Sequence, residues 1–367
     1  MSQRVLITGG AGFIGSHLAR ALVARGDKVR VLDSFIPQVH PPGAPRSRLL
    51  DGAEIIAGDV RDSDAVARAL AGVDKVVHLA AEVGVGQSMY AVERYVSVND
   101  LGTAVLVQQL IDRPVARVVV ASSMSVYGEG LYRTADGRLV EDAVRLPGQR
   151  WDPVAADGAA LVPVATPETK RPNLASVYAL TKHVQERLAL TVAPAYGMEA
   201  VALRLFNVYG PGQALSNPYT GVLAIFASRL LNNERPPVFE DGAQRRDFVH
   251  VDDVAAAFLL ALDHPAAAGG VFNIGSGRDV SIAEVAGAMA AAMRKPQLTP
   301  EILGKARAGD IRHCFADVTR ARAVLGFAPR RGFADSLPEL AAWVERQRAV
   351  DLVAQAQREL EQRGLVA

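Results

Sequence analysis

Three side chains in this sequence have the types and spacing to move a proton: Ser123, Tyr178 and Lys182. Tyr178 and Lys182 stand four positions apart, which puts both on one face of a helix. A free tyrosine, with a pKa of about 10, is a poor base at neutral pH. A neighbouring ammonium favours the phenolate, and a phenolate can take the proton of a carbinol while its carbon is oxidised. Ser123 lies in the turn Ser122-Ser123-Met124-Ser125-Val126-Tyr127-Gly128, directly after an apolar run at 117–120. At the carboxyl end of a parallel strand its hydroxyl can hydrogen-bond the reacting oxygen. Tyr and Lys at this spacing also occur on ordinary surface helices, so the pair gains meaning only beside a site for an oxidant.

Such a site is written near the N-terminus, in Thr8-Gly9-Gly10-Ala11-Gly12-Phe13-Ile14-Gly15. Gly9 permits a tight turn, Gly12 lets the backbone approach a pyrophosphate, and Gly15 allows close helix–sheet packing. Phe13 and Ile14 open a helix whose N-terminus favours an anion. Asp33 ends the second apolar run and suits a ribose 2′-hydroxyl. No arginine follows it until Arg46, so NAD is expected rather than NADP. Asp59 and Val60 follow the third run, where an adenine edge can be met, and Leu79-Ala80-Ala81 ends the fourth, where small residues let a cofactor lie close. His78 suits a core position as well as a cofactor contact.

The elements that must position these groups read as an α/β fold: a doubly wound parallel sheet of the Rossmann type with a smaller C-terminal substrate-binding lobe. Strands are expected at 4–8, 29–32, 54–57, 76–79 and 117–120, with helices at 64–70 and 92–111 between them. A helix at 176–192 and a strand at 200–205 follow, then helices at 217–233 and 254–262 and a strand at 271–274. Ser281 and Glu284 have capping-box spacing for a helix at 281–293. Residues 128–172 hold five prolines and show little periodicity, so they are expected to form a loop or insertion. The expected division is a cofactor lobe at 1–206, a mainly substrate-binding lobe at 207–335 with segments returning to the first, and an amphipathic C-terminal helix within 336–367.

Composition excludes several other classes. The formal net charge is +1, so no bulk field draws nucleic acid or membrane. Cys314 is the one cysteine, which rules out a disulfide framework and a cysteine metal site; no metal is expected. No uninterrupted apolar run reaches about 18 residues, and the apolar N-terminus is broken by glycines without a signal-peptide flank. The cytoplasm is the expected location.

The motifs in order resemble the extended short-chain dehydrogenases/reductases that act on nucleotide sugars, a group of epimerases and dehydratases. Beyond 8–15, 78–81, 122–128 and 178–182, the resemblance rests on Arg204-Leu205-Phe206-Asn207-Val208-Tyr209-Gly210-Pro211-Gly212 and Arg246-Asp247-Phe248-Val249-His250-Val251-Asp252-Asp253. Phe272-Asn273-Ile274-Gly275 and Arg307-Ala308-Gly309-Asp310 extend it over nearly the whole chain. It implies bound NAD, with Ser123, Tyr178 and Lys182 catalytic. It further implies a nucleotide sugar contacted by Ser123, Ser125 and Asn207, a diphosphate gripped by Arg246 and Arg307, and Asp310 near the nucleotide ribose. A homodimer through a four-helix contact is implied by the helices at 92–111 and 176–192.

Two departures bear on the reaction. The 4,6-dehydratases of this group carry an Asp-Glu pair after the catalytic residue, and here those positions are Met124 and Ser125, neither an acid nor a base at neutral pH. Oxidation at C4 and return of hydride to the other face needs no such pair, so an epimerase is expected. The insertion, with 127–133, Gly148-Gln149-Arg150-Trp151 and 163–168, together with 216–221, resembles dTDP-L-rhamnose 4-epimerases, which make dTDP-6-deoxy-L-talose. A UDP-sugar 4-epimerase, a net NAD(P)-dependent nucleotide-sugar reductase, and a catalytically idle dinucleotide-binding regulator stay open.

Overall fold

In the computed structural model, which describes residues 2–43, 46–145, 151–219, 221–347 and 351–366, seven strands form one parallel sheet. Five come first in the chain: β1 (Arg4–Thr8), β2 (Lys28–Asp33), β3 (Glu54–Ala57), β4 (Lys75–His78) and β5 (Arg117–Ser123). Across the sheet the order is Val271–Ile274, Glu199–Leu205, β5, β4, β1, β2, β3. Side chains alternate between faces. Val5, Ile7, Val31, Val77 and Val119 pack with the helices Phe13–Ala24 and Val251–Asp263. Leu6, Leu32, Val76 and Val118 pack on the opposite face with Ser63–Leu70 and Gly102–Asp112. Both faces are covered, which is why these strands are nearly continuous apolar runs.

Strand order reverses at β1, whose neighbours are β2 and β4. The crevice at that reversal, at the carboxyl ends, is where such sheets take ligands. Parallel register pairs Thr8 with Leu32 and His78, and Ser123 with Leu205, so the strands end at one level.

A second apolar cluster joins Tyr209 and Phe248 to the helices Val222–Leu231, Ile282–Ala292 and Phe333–Val344. The Ser281–Glu284 capping box is formed. No described helix is long and apolar enough to cross a membrane.

Four expectations are corrected. The helix expected at 92–111 is interrupted: Val92–Tyr95 and Gly102–Asp112 flank a π-helical segment, Val96–Leu101. The described part of 128–172 is not loop alone, since Leu131–Arg133 pairs antiparallel with Leu139–Val140 and Val162–Val164. The helix expected from 217 begins at Val222, after the Asn217 carboxamide has closed a turn on the Tyr219 N–H. The C-terminal helix is two, Phe333–Val344 and Val353–Gln362. Asp351 accepts the Val353 N–H at 3.0 Å and pairs with Arg229 at 2.8 Å, starting the second helix in a new place. The quoted positions 148–150 and Thr220 lie outside the described residues.

Candidate active site

The carboxyl ends of the strands open on a cavity of about 790 Å³. Gly9, at φ +68°, makes its first turn, and its N–H donates to Leu32 O at 2.8 Å. A Cβ there would stand 2.7 Å from Ala80 N, so only glycine fits between β1 and β4. Gly15 backs directly onto Gly10, where a Cβ would lie 2.5 Å from the Gly10 Cα. Gly12 caps the helix Phe13–Ala24 with no side-chain bond, which leaves the first-turn N–H groups of Phe13, Ile14 and Gly15 facing the cavity. An anionic pyrophosphate is the complement of those donors.

Asp33 lines the same cavity, and its two oxygens accept the Ala11 and Phe35 N–H groups, each at 2.9 Å. It thus braces the glycine loop as well as facing the space where a ribose would lie. His40 reaches to 3.7 Å from it, a basic neighbour that the search for arginine alone passes over. Asp59, Val60, Leu79, Ala80 and Ala81 line the wall beyond. Arg61 bonds the Asp59 carboxylate and holds it below the usual carboxylate range.

Ser123, Tyr178 and Lys182 meet at the other end of this cavity. The helix Val177–Ala195 presents the last two, starting where Ser176 accepts the Ala179 N–H. Burial pushes the Tyr178 phenol up, and the Ser123 hydroxyl works against that rise. Burial pulls the Lys182 ammonium down to about 7. Its amine donates to Gln185 Oε1 at 2.6 Å. Gln185 in turn donates to Ala80 O and to Thr103, and its amide lies 3.1 Å from His78 Nε2. His78 is held by Thr8 and Thr103, and burial, with Lys182 nearby, keeps it neutral at about 3. It is a satisfied core histidine.

Two buried contacts hold the helix Val177–Ala195, one to the sheet and one to the π-helical segment. Arg204 pairs with Glu186 through both oxygens, at 2.7 and 3.0 Å, and Ser122 donates to the same carboxylate at 2.7 Å. Asn99, in the π-helical segment, donates to Thr181 and accepts the Glu82 N–H at 2.7 Å. Sequence reasoning missed Gln185 and Asn99. Gln185, three positions after Lys182, could have been found by its helical spacing. Asn99 could not, because the π-segment turns it out of α-helical phase.

The expected substrate residues other than Ser123 lie outside this cavity's lining. Ser125 accepts the Ser123 hydroxyl at 3.1 Å. Asn207 has a buried Oδ1 without a partner, a polar atom awaiting a donor. Arg307 pairs with Asp310 at 2.9 Å and lies over the Phe239 ring. Among the described residues Arg246 bonds main-chain oxygens alone, those of Arg245, Ile311 and Arg312. Among the described residues no group of three or more His, Cys, Asp or Glu could hold a metal ion.

Comparison with known proteins agrees in fold and family. The chain is 36% identical to a dTDP-L-rhamnose 4-epimerase of Burkholderia thailandensis over 353 residues, covering 94% of this chain and 96% of that protein. It is 31% identical to a dTDP-glucose 4,6-dehydratase of Streptomyces niveus, covering 95% and 94%. The UDP-glucose 4-epimerase of Thermus thermophilus, solved with NAD, superposes with a TM-score of 0.74 at 30% identity, covering 94% of this chain and all of that one. Residues 5–275 match the model of the NAD dependent epimerase/dehydratase family, and the chain belongs to that family.

Proposed function

We propose that this chain is a nucleotide-sugar 4-epimerase with tightly bound NAD, acting on dTDP-L-rhamnose and its C4 epimer, dTDP-6-deoxy-L-talose. One observation carries the reaction type. Ser123, Tyr178 and Lys182 share the cofactor cavity, while Met124 after Ser123 is buried against Tyr127 and Phe206, and Ser125 is bonded to Ser123. A C4 carbinol can be deprotonated here, and no acid–base pair stands ready to eliminate water. The named sugar rests on the Burkholderia relative and on the likeness of the insertion.

The first-turn N–H groups of Phe13, Ile14 and Gly15 would hold the pyrophosphate, Asp33 the adenosine ribose, Asp59 and Val60 the adenine, and Lys182 the nicotinamide ribose. Bound NAD supplies a reversible hydride acceptor. Tyr178 takes the O4 proton, Ser123 hydrogen-bonds O4, and Tyr178 returns the proton to the epimerised carbinol. Between these steps the 4-keto sugar must turn about a diphosphate held by Arg246 and Arg307, with Asn207 and Asp310 beside it. Residues 1–206 would form the cofactor lobe and 207–335 mainly the substrate lobe. Exposed Val92, Val96, Leu101 and Leu180 lie on the helices of the expected four-helix contact, which favours a homodimer. The cytoplasm suits a reaction on a soluble nucleotide sugar.

A panel of nucleotide sugars assayed without added reductant tests this reading. Conversion of dTDP-L-rhamnose without net NADH formation is expected. A UDP-sugar 4-epimerase is the second reading, favoured by the likeness to the Thermus protein. Turnover of UDP-galactose with none of dTDP-L-rhamnose would replace the first with it.

A further inference from the structure

Lys182 lines the cavity, but the group that holds its amine does not. Gln185, fully buried three positions further along the helix Val177–Ala195, stands behind it. Its Oε1 accepts the Lys182 amine at 2.6 Å. Its Nε2 donates to Ala80 O at 3.2 Å and to Thr103 Oγ1 at 2.9 Å. Ala80 O can only accept. Thr103 gives its one proton to Asn99 O at 2.5 Å, so it accepts from Gln185 and from His78 Nε2, the latter at 2.8 Å. His78 Nδ1 then takes the Thr8 hydroxyl at 2.7 Å. Turned end for end, the carboxamide would set its oxygen against Ala80 O and its N–H groups against the ammonium. The network therefore fixes one orientation, with Oε1 on Lys182.

The other groups around Lys182 are paired or neutral. Glu186, on the same helix, favours the ammonium, but both its oxygens are bonded to Arg204 of the strand Glu199–Leu205. Glu82, in the cavity wall, is paired with Arg94 at 2.8 Å. His78, at the end of β4, is neutral. Tyr95 lies edge-on to Tyr178, and burial keeps it a neutral phenol. The π-helical segment brings Asn99, the helix Gly102–Asp112 brings Thr103, and β5 brings Ser122 and Ser123, none of them charged. A carboxamide is the acceptor that meets an ammonium without cancelling its charge, which leaves that charge for a phenolate.

We propose that Gln185 is a positioning residue: its carboxamide oxygen takes one of the three N–H donors of the Lys182 ammonium and aims the other two into the cavity, at the nicotinamide ribose and the Tyr178 oxygen; this rests on the nucleotide-sugar reading above. Burial already holds Lys182 at about 7. Without its acceptor the lysine would be largely an uncharged amine at neutral pH, and Tyr178 would lose its counter-charge.

NMR of the NAD-loaded protein with isotope-labelled lysine tests this. The sequence has six lysines, and Lys182→Met identifies the signal. Gln185→Leu is expected to lower the Lys182 titration midpoint by about one pH unit or more, the scale of a lost hydrogen bond to a charged group. Gln185→Glu, which keeps the reach and adds a charge, should raise the midpoint by at least about as much. The alkaline limb of the turnover profile should follow the lysine, downward in Gln185→Leu and upward in Gln185→Glu. A Lys182 midpoint within about 0.3 units of wild type in either variant would overturn the proposal and make Gln185 a brace for Ala80 and Thr103 alone. If Gln185→Leu does not fold, Gln185→Glu carries the test. A Lys182 midpoint that shifts as expected in a protein that turns over no nucleotide sugar would uphold the hold on Lys182 and overturn the nucleotide-sugar reading.

Discussion

The Lys182 amine sits 2.6 Å from Gln185 Oε1, and no hydrogen bond joins it to Tyr178, four positions before it on the same helix. Burial has already pulled this lysine from 10.5 to about 7. The unfolded chain therefore binds more protons than the folded one between pH 7 and 10.5, and stability rises with pH through that window. The burial penalty is fully present below pH 7 and fades above it. Urea unfolding of cofactor-free protein at pH 7, 8 and 9 should show wild type gaining on Lys182→Met by about 1.4 kcal/mol per pH unit. Parallel pH curves for the two proteins would mean that the lysine is not desolvated.

Burial raises the Tyr178 phenol and Ser123 works against the rise, so Tyr178 needs the Lys182 ammonium and the bound cofactor's positive charge to act as a base. Tyr178→Phe should keep the bound NAD and lose turnover by about 100-fold or more, the scale of a positioned acid–base group. In Lys182→Ala the pH optimum should also move upward, since the phenolate loses its counter-charge. Near-normal turnover in Tyr178→Phe would assign the proton to another residue.

Asp33 is expected to act twice, on the ribose and on the loop it braces through Ala11 and Phe35. Asp33→Ala should weaken NAD binding by about tenfold and narrow the NAD-over-NADP preference, because a carboxylate that repels a 2′-phosphate is gone. Calorimetry of cofactor-stripped protein measures both. A preference that stays as wide as in wild type would move discrimination elsewhere, with His40 the next residue to change.

Arg312→Met should leave buried Glu240 short of a cation and cost about 3–5 kcal/mol of stability, the usual penalty for breaking a buried ion pair from one side. Denaturant midpoints measure it. A loss below about 1 kcal/mol would show that Arg145 alone can hold that carboxylate.

The cofactor half of the site was legible because its demands are local. A glycine at φ +68° and an acid at a strand end are set by a few consecutive residues. Every cofactor residue expected from the sequence, Gly9 through Lys182, lines one cavity. The parts that were not legible depend on distant partners. Glu240 is intelligible only beside Arg145 and Arg312, respectively 95 and 72 positions away. The π-helical turn at Val96–Leu101 places Asn99 through Thr181 and Glu82, which no periodicity reports. The strands of the insertion span two or three residues each and one contains Pro163, too short and irregular to read. The split of the C-terminal helix turns on Asp351 finding Arg229.

The fate of hydrogen at C4 tests the epimerase reading most directly. dTDP-L-rhamnose deuterated at C4 is to be converted by the NAD-loaded protein and the product examined by NMR and mass spectrometry. If Tyr178 moves only the O4 proton and the C4 hydrogen leaves and returns as hydride, the deuterium stays at C4 of the 6-deoxy-talose product, with no net NADH. Deuterium lost to water, or NADH formed in proportion to product, would contradict oxidation and hydride return at C4.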